Sequence, residues 1–294
     1  MIHLISTIEY RRVNWIPQFV EHYVSLGIDR LWLTLHFPPS MSPNEIRSIT
    51  RKTARTLNSQ RVAYLGQLIC PFDAMSLRKH HDRLQSAVNP DDWIVWADID
   101  EFHVYPHKLS KCIADAERTG ATLMSGEFID RVALGGELKC FDPHSAIWNQ
   151  FPIGCDVTKR ILLGQTNKVV CSQASVKIKH ANHDPIRNQH MLLSLPYLAA
   201  VHHFKWDSTV VERLLPRLDD DWKQRCHWWV QTQRFMDHWS LYKRINLDLL
   251  STIYFPFGRQ RETDENAWLF VARSREGSLI AGNNCYPREG TCGQ

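Results

Sequence analysis

Four short apolar runs, separated by stretches of helical periodicity, constrain what the first hundred residues can become. Residues 2–8, 30–36, 61–65 and 93–97 are too short for typical helices and rich in Ile, Leu, Val and Trp, which suits strands. After the first, Trp15, Ile16, Phe19, Val20, Tyr23 and Val24 recur at helical spacing, with Asn14 as a cap and Gly27 as a terminator. Further helices are predicted over 43–57 and about 74–88. This alternation is the pattern of an α/β fold, a doubly wound and mostly parallel sheet flanked by helices. The first strand-to-helix turn carries neither Gly-x-Gly-x-x-Gly nor a Walker-type phosphate loop, which argues against a dehydrogenase-type dinucleotide fold.

The fourth run, Trp93 to Ala97, reads as a strand buried on both faces, and it empties into Asp98, Asp100 and Glu101. Ligands of open α/β sheets bind outside the carboxyl ends of strands, which is where these acids stand. On an extended backbone Asp98 and Asp100 project to the same side. Two carboxylates so close call for something positive between them, and Mg²⁺ or Mn²⁺, with their preference for oxygen, meet that need. A solvated, idle acidic turn is the alternative reading of a motif this short.

At 294 residues the chain can bury a substantial core. Its net charge of +4, from 35 basic and 31 acidic residues, gives no argument for nucleic acid and is compatible with anionic small molecules. The eight cysteines include no C-x-x-C pair, so neither a zinc site nor a disulfide scaffold is expected. Scattered thiols, an N-terminus that reads as a first strand rather than a signal peptide, and the lack of an apolar run of about 18 residues together predict a cytoplasmic protein. From Thr209 to about Leu250 a basic and aromatic helical stretch can either lie on a membrane surface or pack across the sheet.

The run Asp98-Ile99-Asp100-Glu101-Phe102 resembles the signature of family 2 like glycosyltransferases with a GT-A fold. Glu21-His22-Tyr23-Val24-Ser25-Leu26-Gly27-Ile28-Asp29 is similar to their opening helix. Two departures stand out. The Glu expected after Asn14 is missing, and the acidic loop expected after strand two is replaced by His36-Phe37-Pro38-Pro39-Ser40, which bears on nucleotide recognition.

The resemblance implies a GT-A-like (Rossmann-like) catalytic domain over residues 1–206 and a helical, loop-ended extension over 207–294. It implies transfer of a sugar, with inversion, from a nucleotide-sugar donor, a UDP-sugar in preference, to a glycan, lipid, peptide or small-molecule acceptor. Mn²⁺ or Mg²⁺ would act as Lewis acid. Asp98 would contact donor and metal, and Asp100 would bind the metal. A histidine from Val201-His202-His203-Phe204-Lys205-Trp206-Asp207 would complete the site. The two histidines face opposite ways on a strand, and His203 is the one assigned. Lys168 and Lys205 would face the diphosphate, with Lys159 and Arg160 as further candidates. Glu127 or Asp130 would be the general base, although a salt bridge of the acid with Arg131 explains the same residues. A nucleotidyltransferase using the same paired acids, and a non-catalytic nucleotide or sugar binder, remain as alternatives.

Overall fold

In a computed structural model the described residues are 1–57, 61–179, 182–186, 198–225 and 227–255. The N-terminal alternation folds as β1 (Ile2–Glu9), α1 (Ile16–Ser25), β2 (Arg30–Phe37), α2 (Pro43–Thr56), β3 (Val62–Ile69), α3 (Ala74–Gln85) and β4 (Trp93–Trp96). These strands are parallel, in the order β4-β1-β2-β3. Each helix is long enough to carry the chain back across the sheet, which parallel pairing requires. α2 opens on a capping box between Ser42 and Glu45, and α3 on the side chain of Asp73. Gly27, at φ +94°, releases the chain after α1, a conformation that only glycine adopts without strain.

Asn14 does not cap α1. Residues Tyr10–Trp15 close instead as a 3-10 turn in which Arg12 leaves helical geometry (φ −107°, ψ 16°), and α1 starts at Ile16 with Pro17 in its first turn. The turn aims Arg12 inward.

Beyond β4 come β5 (Glu101–Val104), α4 (Leu109–Thr119), β6 (Leu123–Val132), α5 (Ile147–Gln150), β7 (Ile153–Cys155), α6 (Val157–Arg160), β8 (Asn167–Gln173) and β9 (Ala199–His203). Then follow α7 (Val210–Leu214), α8 (Asp220–Arg225), α9 (Trp229–Tyr242) and β10 (Thr252–Tyr254). The main sheet runs β10-β7-β6-β8-β4-β1-β2-β3, and β9 joins β5 to β6. Among the described residues only β9 against β6 is parallel in this second half, so the sheet is mixed rather than mostly parallel. The reason lies in the connections: α5 and α6 are four residues each, too short to cross a sheet, so their strands return antiparallel.

The largest core cluster packs α1, α2 and α4 on one face of the sheet through residues such as Phe19, Tyr23, Ile46 and Ile113. Leu84 and Val88 cover Ile94 and Trp96 on the other face. A third cluster joins Val132 and Cys155 to Trp206, Val210, Phe235 and Ile245, so the segment after β9 packs on β6 and β7. Gly136 makes the closest approach there: at φ +74° its amide plane lies against Ile245, whose N–H donates to the Gly136 carbonyl at 2.8 Å. A Cβ at this position would stand 1.9 Å from the Ile245 carbonyl oxygen.

Cys70, Cys112, Cys140, Cys155 and Cys171 are free thiols. Among the described residues no helix is long and apolar enough to cross a membrane. The loop-like tail expected at the C-terminus lies outside the described residues.

Candidate active site

In the parallel half of the sheet the strand order reverses between β1 and β4, since β2 and β3 lie to one side of β1 and β4 to the other. A crevice at such a point, outside the carboxyl ends of the strands, is the general ligand position of open α/β sheets. Arg12 follows β1 and the acidic run follows β4, so the two flank this reversal.

β4 ends at Trp96, and the chain then turns, with the Glu101 N–H donating to the Asp98 carbonyl at 2.9 Å. Strand alternation therefore does not reach Asp98 and Asp100, and the expectation that they share a side gives way to two separate charge clusters. In the first, the Lys168 ammonium, on β8, donates to both carboxylate oxygens of buried Glu101 and, at 3.2 Å, to Asp98. Glu101 also accepts from the Asp98 N–H at 3.1 Å, which ties the turn to its own acid. Burial works against the charge of Glu101, but Lys168 outweighs it and holds the carboxyl down to about 2. Burial likewise opposes the charge of Lys168, and Asp98 and Glu101 more than offset it, raising the ammonium. Asp98 keeps 48 % of its side chain open to solvent yet is crowded by protein atoms. That crowding, with Glu101 and Asp100 nearby, outweighs Lys168 and lifts it to about 6.

The second cluster forms around Arg12, only 2 % exposed. It donates to Asp100 at 2.5 Å and to Asp207 at 3.1 Å, and stacks over Trp15 at 4.6 Å. Arg213 reaches Asp207 at 3.5 Å. Both guanidiniums donate to the carbonyl of Lys205, Arg12 at 3.3 Å and Arg213 at 2.8 Å. Burial disfavours the charge on Asp100, but Arg12 first, then His203, Arg213 and Lys205, hold it well below the usual carboxylate range. The Lys205 ammonium lies 5.1 Å over the Trp206 ring, and burial, Arg217 and Arg213 push it down to about 7. Burial and Arg12 push Arg213 down to about 10.

Asp130 on β6 forms the third group. One oxygen accepts from Thr158 Oγ1 (2.8 Å), His203 Nδ1 (2.9 Å) and Trp206 Nε1 (2.9 Å), and the other from the Thr158 N–H (2.6 Å). His203 stacks on Phe128 at 4.5 Å, and its Nε2 faces Asp100 at 4.0 Å. His202 points the other way, to Arg131 and Trp148.

The structure thus gathers Asp98, Asp100, Asp130, Lys168, His203 and Lys205 around one region. It does not bring Glu127 there. Strand alternation places Glu127 with Ile129 and Arg131, opposite Phe128 and Asp130, and its carboxylate accepts from Thr166. The same alternation separates Asp130 from Arg131, which turns to the Phe151 carbonyl and Phe255. Arg160 pairs with Asp156 on its own helical turn.

Arg12, Glu101, Asp207 and Arg213 hold roles that the sequence reading left unassigned. For Arg12 a signal existed, since it directly follows the first strand of an α/β sheet. A groove of about 650 Å³ between Arg47, Arg51 and Arg55 on the outer face of α2 belongs to none of these residues.

A divalent ion of the Mg²⁺ or Mn²⁺ type needs several oxygens converging at about 2.0–2.2 Å. Asp100 is engaged by Arg12 and Asp98 by Lys168, and His203 spends one ring nitrogen on Asp130. Among the described residues no group of three or more His, Cys, Asp or Glu side chains is gathered to hold an ion. Asp98, Asp100 and His203 do not fit such a metal as they stand.

No family model matches the sequence, and no curated protein is detectably similar to it. Three solved structures show the kind of likeness found. TarS of S. aureus (residues 1–349) is 11% identical, with 92% of this chain and 78% of that chain covered and a TM-score of 0.35. The UTP-bound UGPase from Acinetobacter baumannii is 11% identical, with 97% and 100% covered and a TM-score of 0.29. The glycosyltransferase GlyE of Streptococcus pneumoniae TIGR4 is 9% identical, with 99% and 67% covered and a TM-score of 0.24. Scores this low identify no family.

Proposed function

We propose that the chain is a glycosyltransferase of the GT-A type that moves a sugar from a nucleotide-sugar donor to a hydroxyl acceptor. The observation that carries this reading is the position of the Asp98–Glu101 turn and Arg12 on the two sides of the strand-order reversal, outside the carboxyl ends of β4 and β1. The resemblance of the Asp98-Ile99-Asp100-Glu101-Phe102 run to family 2 like transferases supports the same reading. Residues 1–206 would form the catalytic unit and 207–294 an extension packed on it.

Within this reading the carboxylates divide by availability. Asp100, Glu101, Asp130 and Asp207 are buried and each is engaged by fixed donors, so they organise the site. Asp98 has a solvent-facing edge, and it meets the ligand, as donor contact and as acceptor of the incoming hydroxyl's proton. Asp130 is a positioning residue for His203. Lys168 holds Asp98 and Glu101 in place, and Lys205 faces the diphosphate, where a fixed cation offsets the charge left on the departing nucleotide.

A thermal-shift screen of UDP- and GDP-sugars and nucleoside triphosphates tests the reading, because a ligand that binds only the native state raises apparent stability. Stabilisation by a nucleotide sugar, followed by release of the nucleoside diphosphate, is the expected result. Turnover of a triphosphate with a sugar phosphate would transfer the assignment to a nucleotidyltransferase. No stabilisation by any of these ligands would sink both.

A further inference from the structure

We propose that Lys205 and Arg213 form a fixed cationic site for the ligand's diphosphate, so that nucleotide binding here needs no divalent ion. This rests on the nucleotide-dependent reading above and specifies how that site handles charge.

The acids that a divalent ion would use already hold internal cations. Arg12 is inserted at 2.5 Å from Asp100, and it is almost fully enclosed, with Asp207 as its second carboxylate. An ion on Asp100 would have to displace that guanidinium or sit beside it. The first choice strips a buried cation of one of its two partners, and the second places like charges in contact in a low-dielectric setting. Lys168 occupies Glu101 and Asp98 in the same way.

One cation of this region lacks a direct carboxylate partner among the described residues. Asp100 and Asp207 offset Arg12 and Arg213. Lys205 remains, half-buried, and among the described residues its ammonium makes no hydrogen bond and has no carboxylate within ion-pair distance. The carbonyl of the same residue accepts from both Arg12 and Arg213, which draws the cations together at one point of the chain. Burial, Arg217 and Arg213 act against the charge of Lys205 more strongly than the more distant Asp100 and Asp130 support it, and a bound anion reverses that balance. Arg213 Nε donates to Thr209 and its Nη2 to the Lys205 carbonyl, which fixes the guanidinium in place, and a phosphate or diphosphate group beside the Lys205 ammonium is the ligand chemistry this arrangement fits.

The test is calorimetric titration of the full chain with UDP and with inorganic pyrophosphate, each in EDTA and in Mn²⁺. It is run on the wild type, Lys205→Met and Lys205→Arg. The expected result is UDP binding of equal affinity in EDTA and Mn²⁺, at least tenfold tighter than pyrophosphate. Lys205→Met should weaken UDP binding tenfold or more in both media, and Lys205→Arg should restore it. Binding that requires Mn²⁺, or that is unchanged in Lys205→Met, overturns this inference while leaving the nucleotide-dependent reading in place. Pyrophosphate binding as tight as UDP overturns the nucleotide assignment of the anion site. Absence of UDP binding in both media for a folded wild type overturns the inference, and the function with it only where GDP also fails to bind.

Discussion

The Asp130 carboxylate accepts from His203 Nδ1 at 2.9 Å because β6 and β9 run parallel with these two residues directly opposite in register. The same oxygen takes the indole N–H of Trp206, so the carboxylate is an acceptor and the Nδ1 nitrogen must carry the proton. The consequence is a fixed imidazole whose Nε2 faces Asp100. A carboxylate behind a histidine in this way sets its tautomer and orientation.

Replacing Asp130 by Ala removes the acceptor for Thr158, His203 and Trp206 at once, in a buried setting. A loss of about 3–5 kcal/mol is expected from urea unfolding, the range for breaking a buried charged network. Nitrogen NMR of the His203 ring should show the Nδ1–H tautomer in wild type and its loss in Asp130→Ala. An unchanged ring spectrum would contradict the positioning role.

Lys168 and Glu101 are a buried pair, with side chains 1 % and 2 % exposed. Lys168→Met should destabilise by about 3–5 kcal/mol because it strands a buried carboxylate. Adding Glu101→Gln should recover a large part of that loss, giving a strongly non-additive double-mutant cycle. Additive effects would mean that the two side chains do not depend on each other.

Stability should fall as the solution is acidified from about pH 6.5 to about pH 4. Burial lowers His22 to about 4, against the weaker effect of its hydrogen bond to the His103 carbonyl. Burial, with His80 and Lys168 adding to it, lowers His81 to about 4. Each ring is neutral when folded and protonates near 6.5 when unfolded, so the unfolded chain binds more protons throughout this window. Stability is complete above the unfolded value and is lost toward the folded one, at up to roughly 1.4 kcal/mol per pH unit for each ring. Urea midpoints between pH 7 and pH 4 check this, and His81→Gln should flatten the slope.

Gly136→Ala is expected to cost more than about 2 kcal/mol, since the new Cβ meets both a left-handed backbone and the Ile245 carbonyl. Limited proteolysis should then cut more readily near residue 245 in the variant than in the wild type. Equal cleavage would show that this contact does not hold the extension.

What could be read from the sequence follows the range of the interactions. Strands β1 to β4 and their helices were legible because period and turn residues are local properties, and so was the placing of the acids at the end of a buried strand. The partners were not legible. Arg12 and Asp100 are 88 residues apart, and Arg12 and Asp207 are 195 apart, so both contacts depend on the docking of distant strands. Other differences had local rules available. Asp130 and Arg131 are neighbours on a strand and therefore face opposite ways, and Glu127 falls on the Arg131 side by the same count. The shared side expected for Asp98 and Asp100 assumed extended backbone through Asp100, four residues beyond the end of β4.

Among the described residues β5 has a single ladder partner, β9, with Glu101 opposite His203. This has a consequence for how the molecule comes into being on the ribosome. The parallel half contains its own crossovers and can assemble from contacts made early in synthesis, but β5 has no neighbour to pair with until the chain has been made past His203. Until then Asp98, Asp100 and Glu101 are a hydrated acidic turn and Arg12 is a solvated cation. Arrival of β9, with Asp207 just behind it, lets Arg12, Asp100 and Glu101 leave water together, so a nascent chain need not carry a half-desolvated charge cluster.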